Sequence, residues 1–201
     1  MTIDRRRLVK CAVAALGSGG ALASAKAFAG DSSGKQDFAA IARRLLAENA
    51  GRIKAADRIA VADFAAPSWR PRFHLVDMIS GEVASYLVAH GRGSDPSHTG
   101  WLQRFSNAVG SNASSYGAYL TGARYSGKYG PSMRLAGLDA ENSNAQARAI
   151  VIHAAWYVGA EMLGKYGKLG RSEGCFAFSE TDRSEVVERL GEGRLLFAGK
   201  F

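Results

Sequence analysis

The residues best suited to nucleophilic chemistry are a single thiol and one of four histidines. Of the two cysteines, Cys11 lies in an N-terminal stretch with the marks of a cleavable export signal, which leaves Cys175 as the one thiol of the remaining chain. A lone cysteine closes no internal disulfide, so it is either a small buried hydrophobe or a working thiol. Cys175 sits in Gly170-Arg171-Ser172-Glu173-Gly174-Cys175-Phe176, a run of glycines and polar residues that reads as a turn. Core cysteines usually lie in apolar runs, and this setting favours chemistry. A thiol of ordinary pKa, about 8.5, is only a few per cent ionised at neutral pH, so a cysteine nucleophile needs a base or cation beside it. His153 ends the apolar run Ile150-Val151-Ile152, and a rigid strand there presents its imidazole at a sheet edge. His74, His90 and His98 fall in a hairpin or loop and read as solvated or capping groups, with His90 the next candidate base. Eighteen residues separate His153 from Ser172, enough for the chain to loop out and return beside the strand end. The scattered histidines and one thiol lack metal-ligand spacing, so no metal and no cofactor is expected.

Those two residues need a scaffold. Asp37 caps a predicted helix running to about Ile53, with Phe38, Ile41, Leu45 and Leu46 at three- and four-residue spacing. Residues 58–64 read as a strand, Pro67 and Pro71 bracket a connector carrying Trp69, and residues 72–78 and 82–90 read as a β-hairpin turning at Ser80-Gly81. Residues 91–118, rich in Gly, Ser and Asn, are predicted to form a long surface excursion. Strands are expected over 119–125, 132–138 and 147–155. Residues 156–166 are read as a short helix or lid, with Trp156, Tyr157 and Tyr166 packing on the sheet. An amphipathic helix over 180–190 and a closing strand over 194–198 complete the chain. The fold class expected is mainly β with flanking helices.

Composition bounds the function. The 201 residues are 47% hydrophobic and 22% charged, which excludes a disordered or collagen-like chain. No run of eighteen apolar residues appears, so no transmembrane segment is expected. Residues 1–29 combine Arg5-Arg6-Arg7 and Lys10, a weakly apolar run diluted by Gly17, Gly19 and Gly20, and an Ala27-Phe28-Ala29 exit. They read as a secretory signal of twin-arginine type cleaved after Ala29, followed by a polar tether over 30–37 and one domain over 38–201. The expected location is the periplasm. Removal of the signal takes away five bases and one acid, so the formal charge of +8 falls to +4, too modest to argue for nucleic acid.

The segment "IVIHAAWY…GRSEGCFAFS" resembles the catalytic motif of L,D-transpeptidases, a strand-end histidine followed by a spacer and Ser/Thr-His-Gly-Cys. The stretch from Val83 to Asp139 resembles the branch of that family with a Gly-Arg-Ser-x-Gly-Cys motif, so the likeness extends over roughly residues 72–178. It implies a β-sandwich or barrel catalytic domain acting on peptidoglycan stem peptides as donor and acceptor. It further implies Cys175 as nucleophile and His153 as base, with Gly174 and Cys175 N–H groups as the oxyanion hole. Ser172 and the carbonyl of Glu173 would orient the imidazole, and trapping by carbapenem-type β-lactams is implied. Arg171 is a candidate partner for a substrate carboxylate and Tyr157 for the substrate itself. Two departures stand out: Glu173 replaces the histidine before Gly-Cys, and Ala154 replaces the glycine after the strand histidine. Hydrolysis of the thioester by an L,D-carboxypeptidase or amidase, and a non-catalytic wall-binding module, remain open from sequence, as does the oligomeric state.

Overall fold

The computed structural model describes residues 36–201, so the expected export signal and most of the expected tether lie outside the described residues. Asp37 accepts a hydrogen bond from the Ala40 N–H (3.0 Å) and caps helix α1, Phe38–Asn49, which a single 3-10 turn extends to Arg52. Eight strands follow: β1 (Arg58–Asp63), β2 (Phe73–Asp77), β3 (Val83–Tyr86), β4 (Gly117–Gly127), β5 (Gly130–Gly137), β6 (Val151–Ala154), β7 (Phe176–Phe178) and β8 (Leu195–Gly199). Helix α2 (Ala160–Tyr166) lies between β6 and β7. Helix α3 (Glu180–Leu190) starts at Ser179, whose hydroxyl accepts the Asp182 N–H, and stops at Gly191 with φ 65.

All eight strands form one sheet in the order β3-β2-β1-β8-β4-β5-β6-β7. Beyond β3 the chain crosses to the other edge, where Ala89 bridges Ala177 and Gly91 bridges Ser172. The sheet is thereby a nearly closed barrel, and the expected mainly β architecture with flanking helices is what is found.

Alternation along the central strands divides the apolar residues between two faces. Ala60, Ala62, Leu196 and Ala198 join Phe64, Tyr119, Phe176 and Val186 in one core. Ile59, Val61, Leu195 and Phe197 face α1 through Ala42 and Leu45 in the other. With both faces covered, β1 and β8 read as unbroken apolar runs.

Three differences from the sequence reading bear on the site. The strand expected over 147–155 is shortened to Val151–Ala154, because Ala149 takes a left-handed turn (φ 51) and ends the extended run. Strand β7 has only three residues, too few to show a period. The 91–118 excursion is packed inward: Ser94, Asp95, Ser114 and Ser115 are buried, with Ser114 bonded to Gly91 and Ser94.

Candidate active site

Strands β6 and β7 run parallel, with His153 beside Ala177. Cys175 precedes that partner by two residues, so strand parity puts thiol and imidazole on one face. Both line an open cleft of about 770 Å³, with Tyr129, Arg148, Ala149, Tyr157, Arg171 and Ser172 among its other walls. The one thiol among the described residues and the strand-end histidine are thus brought together.

The imidazole is held by its own strand. His153 Nδ1 lies 2.8 Å from the Ala154 carbonyl, an acceptor that requires the proton on Nδ1 and leaves Nε2 as the basic nitrogen. Tyr129 stacks on the ring at 4.8 Å between centroids. Burial pushes the imidazole below the usual histidine range, partly offset by the Ala154 bond. Burial also pushes the Cys175 thiol up, against the opposing pulls of the Val151 N–H and the Arg148 charge. Both shifts favour uncharged forms, so the resting pair is a thiol and a neutral imidazole. The thiol donates to the Ala149 carbonyl at 3.6 Å. It must swing from that carbonyl before Nε2 can take its proton.

The turn before the nucleophile is fixed by Ser172. Its hydroxyl donates to the Cys175 carbonyl (2.7 Å) and accepts the Gly174 N–H (3.1 Å). Gly174 has φ 118, and a Cβ there would meet the Ala113 carbonyl at 2.7 Å, so both backbone and space demand glycine.

This geometry corrects several roles. Ser172 orients the Cys175 turn, and the imidazole takes its direction from Ala154, not from Ser172 or the Glu173 carbonyl. The Gly174 N–H is spent on Ser172, whereas the Cys175 N–H has no hydrogen-bond partner among the described residues. Arg171 lines the cleft, yet its Nη1 is committed to the Asp95 and Pro96 carbonyls, so it pins that turn. Tyr157 stays in the cleft wall, with its ring against Gly170. Glu173 lines the exposed rim of the same cleft, where it pairs with Arg92 at 2.9 Å. Trp156 is 85% exposed and Tyr166 is exposed as well, so neither packs on the sheet as expected.

Two other expectations fail for one reason, burial. His74 stacks on Phe38 and bonds Ser85 Oγ, and burial lowers its pKa to about 4. His90 is enclosed by Arg72 and Asp95 and lies outside the cleft walls. Arg148 went unnoticed in the sequence, since an arginine before an apolar strand looks like a surface residue. No group of three or more His, Cys, Asp or Glu with metal-holding geometry occurs among the described residues.

A family model for the L,D-transpeptidase catalytic domain matches residues 33–198. The chain belongs to that family. Solved structures similar to this L,D-transpeptidase domain include an L,D-transpeptidase from Mycobacterium smegmatis (13% identity, TM-score 0.43, covering 71% of this chain and 58% of that one). Another, from Mycobacterium tuberculosis, has 14% identity, TM-score 0.41 and coverage of 72% and 58%. A third is the helical cell shape determining protein of Campylobacter jejuni, at 12% identity, TM-score 0.45 and coverage of 83% and 57%. The chain spans less than two thirds of the length of each of these structures. No curated protein matches the sequence.

Proposed function

We propose that this L,D-transpeptidase domain is a cysteine acyltransferase that cross-links peptidoglycan stem peptides in the periplasm, exported by residues 1–29. The observation that carries the reading is the shared cleft of Cys175 and His153, with Nδ1 tied to Ala154 and Nε2 free to act. His153 Nε2 takes the Cys175 proton as Sγ attacks an amide carbonyl of the donor stem. The oxygen gains negative charge beside the Cys175 N–H, and such a donor is worth roughly 10²–10³ in rate in acyl-transfer enzymes. The C–N bond then breaks, His153 returns the proton to the departing amine, and a thioester remains. An acceptor amine loses a proton to His153, attacks the thioester and releases the thiol.

The test is incubation of the purified mature protein with muropeptides and mass analysis of the products. Dimer masses are expected. Loss of one terminal residue without dimers would assign hydrolysis instead, and binding without turnover would assign a wall-binding module. Intact-mass analysis after a carbapenem should show one adduct on Cys175.

A further inference from the structure

Arg148 stands in the turn before β6, beside Ala149, whose carbonyl receives the thiol. Its guanidinium is held from three sides. Nη1 donates to the Ser106 carbonyl (2.8 Å) and to Ser115 Oγ (2.6 Å), and Nη2 donates to the Ala113 carbonyl. All three anchors come from the 91–118 excursion, which is thereby tied to the cleft. A Cβ built on Gly174 would stand 2.8 Å from Arg148 Nη2, so the guanidinium lies directly against the residue preceding the nucleophile. Every neutral acceptor around it is a carbonyl or hydroxyl, and no carboxylate pairs with it among the described residues.

We propose that Arg148 is a positioning residue that supplies a fixed, unpaired positive charge to stabilise the Cys175 thiolate as the proton leaves. The charged and titratable groups facing Cys175 support this balance. Glu173, on the same turn and at the rim of the same cleft, opposes the thiolate, but its carboxylate is paired with Arg92. Tyr119 from β4 and Tyr157 after β6 are held protonated by burial, and His153 is neutral at rest. Arg148 is the one cation among the described residues that pulls the thiol down, and its own affinity for its proton is reduced by burial yet raised by Tyr119 and Cys175. A carboxylate beside the guanidinium would cancel that pull; carbonyls hold it without doing so.

The inference concerns the nucleophile of the proposed transferase, but its test needs no stem peptide, so either can fail alone. Iodoacetamide alkylates Cys175: the thiolate forms an S–C bond, the C–I bond breaks, iodide leaves, and the thiol proton passes to His153 or water. The rate is measured against pH on the mature protein, for wild type, Arg148→Gln and Arg148→Lys. Arg148→Gln should move the midpoint up by at least one pH unit, a tenfold loss of rate at neutral pH, with the alkaline plateau unchanged. Arg148→Lys, which keeps charge but loses the three-sided hold, should stay within half a unit of wild type. A merely structural role would alter the plateau through access to the thiol and leave the midpoint in place. Should the glutamine variant fail to fold, Arg148→Met, which also removes the charge, takes its place with the same expected rise. A wild-type midpoint in Arg148→Gln, or a full-unit rise in Arg148→Lys, overturns the proposal.

Discussion

His153 and His90 are both buried, and burial lowers both, yet they belong to different kinds of chemistry. His153 gives one nitrogen to a backbone carbonyl and keeps the other toward an open cleft. His90 uses both. Arg72 Nη2 donates to its Nδ1 at 2.9 Å, so the proton sits on Nε2, which faces Asp95 Oδ2 at 3.4 Å. Arg72 itself is fully buried, donating also to the carbonyls of Val88 and Ala66, and is brought down to about 9 by burial. His90 is therefore a neutral spacer between a buried cation and a buried anion. What separates the two imidazoles is not burial or pKa but whether the second ring nitrogen opens onto a cleft.

The sharpest break of this comparison is at the active pair. Cys175→Ala and His153→Ala should each lower acyl transfer by about a thousandfold or more, with the double variant little worse, because nucleophile and base act as one unit. Cross-linking rates on muropeptides check this, and substantial activity in His153→Ala would remove His153 as the base. His90→Ala should show the converse. Turnover stays within a few-fold, while stability falls by about 3–5 kcal/mol, since Arg72 and Asp95 lose the group between them. Chemical denaturation measures that loss; an unchanged midpoint would mean the buried trio contributes nothing.

Acid should separate the two histidines as well. His90 is held near 3 and His74 near 4 in the fold, against about 6.5 unfolded. Between those values the unfolded chain binds more protons, so stability is complete above about pH 6.5 and declines as pH falls, by about 1.4 kcal/mol per unit per group. His153→Gln should keep most of that slope, and His90→Gln should remove the His90 share and leave that of His74. The acid limb of kcat/KM should fall below pH 6.5, since burial also lowers His153. The smallest effect belongs to Glu173→Gln. Its carboxylate is 70% exposed and paired with an exposed Arg92, an arrangement worth little. Acylation should change by less than a few-fold, and a hundredfold loss of transfer with acylation unchanged would assign the side chain to the acceptor.

Cys175 and His153, which share the cleft, were legible because residue type and setting are local: a thiol on a polar turn, an imidazole ending an apolar strand. The capped helix α1 and the strands β1 and β8 were equally legible, having length enough to show a period. What escaped depends on distant contacts. His90 looks like a hairpin residue until the chain beyond β3 crosses to β7 and encloses it. Arg148 gains its meaning only when residues 106–115 fold back on it, and β7 is too short for any pattern. Gly174 was seen as part of the motif, but its reason, the Ala113 carbonyl pressed against it, was not.

The closure of the sheet has a kinetic side. Ile59 meets Leu195 in the parallel pairing of β1 with β8, and Ala89 meets Ala177 across the seam beside the nucleophile. Contacts so far apart along the chain demand large loops to be closed before they repay the lost entropy, and folds dominated by them assemble slowly. The thiol and imidazole stand on β6 and the turn before β7, next to that seam, so the cleft takes shape only as the barrel shuts. A chain caught midway holds both side chains but not the cleft, so the proposed acylation would have to wait until folding is complete.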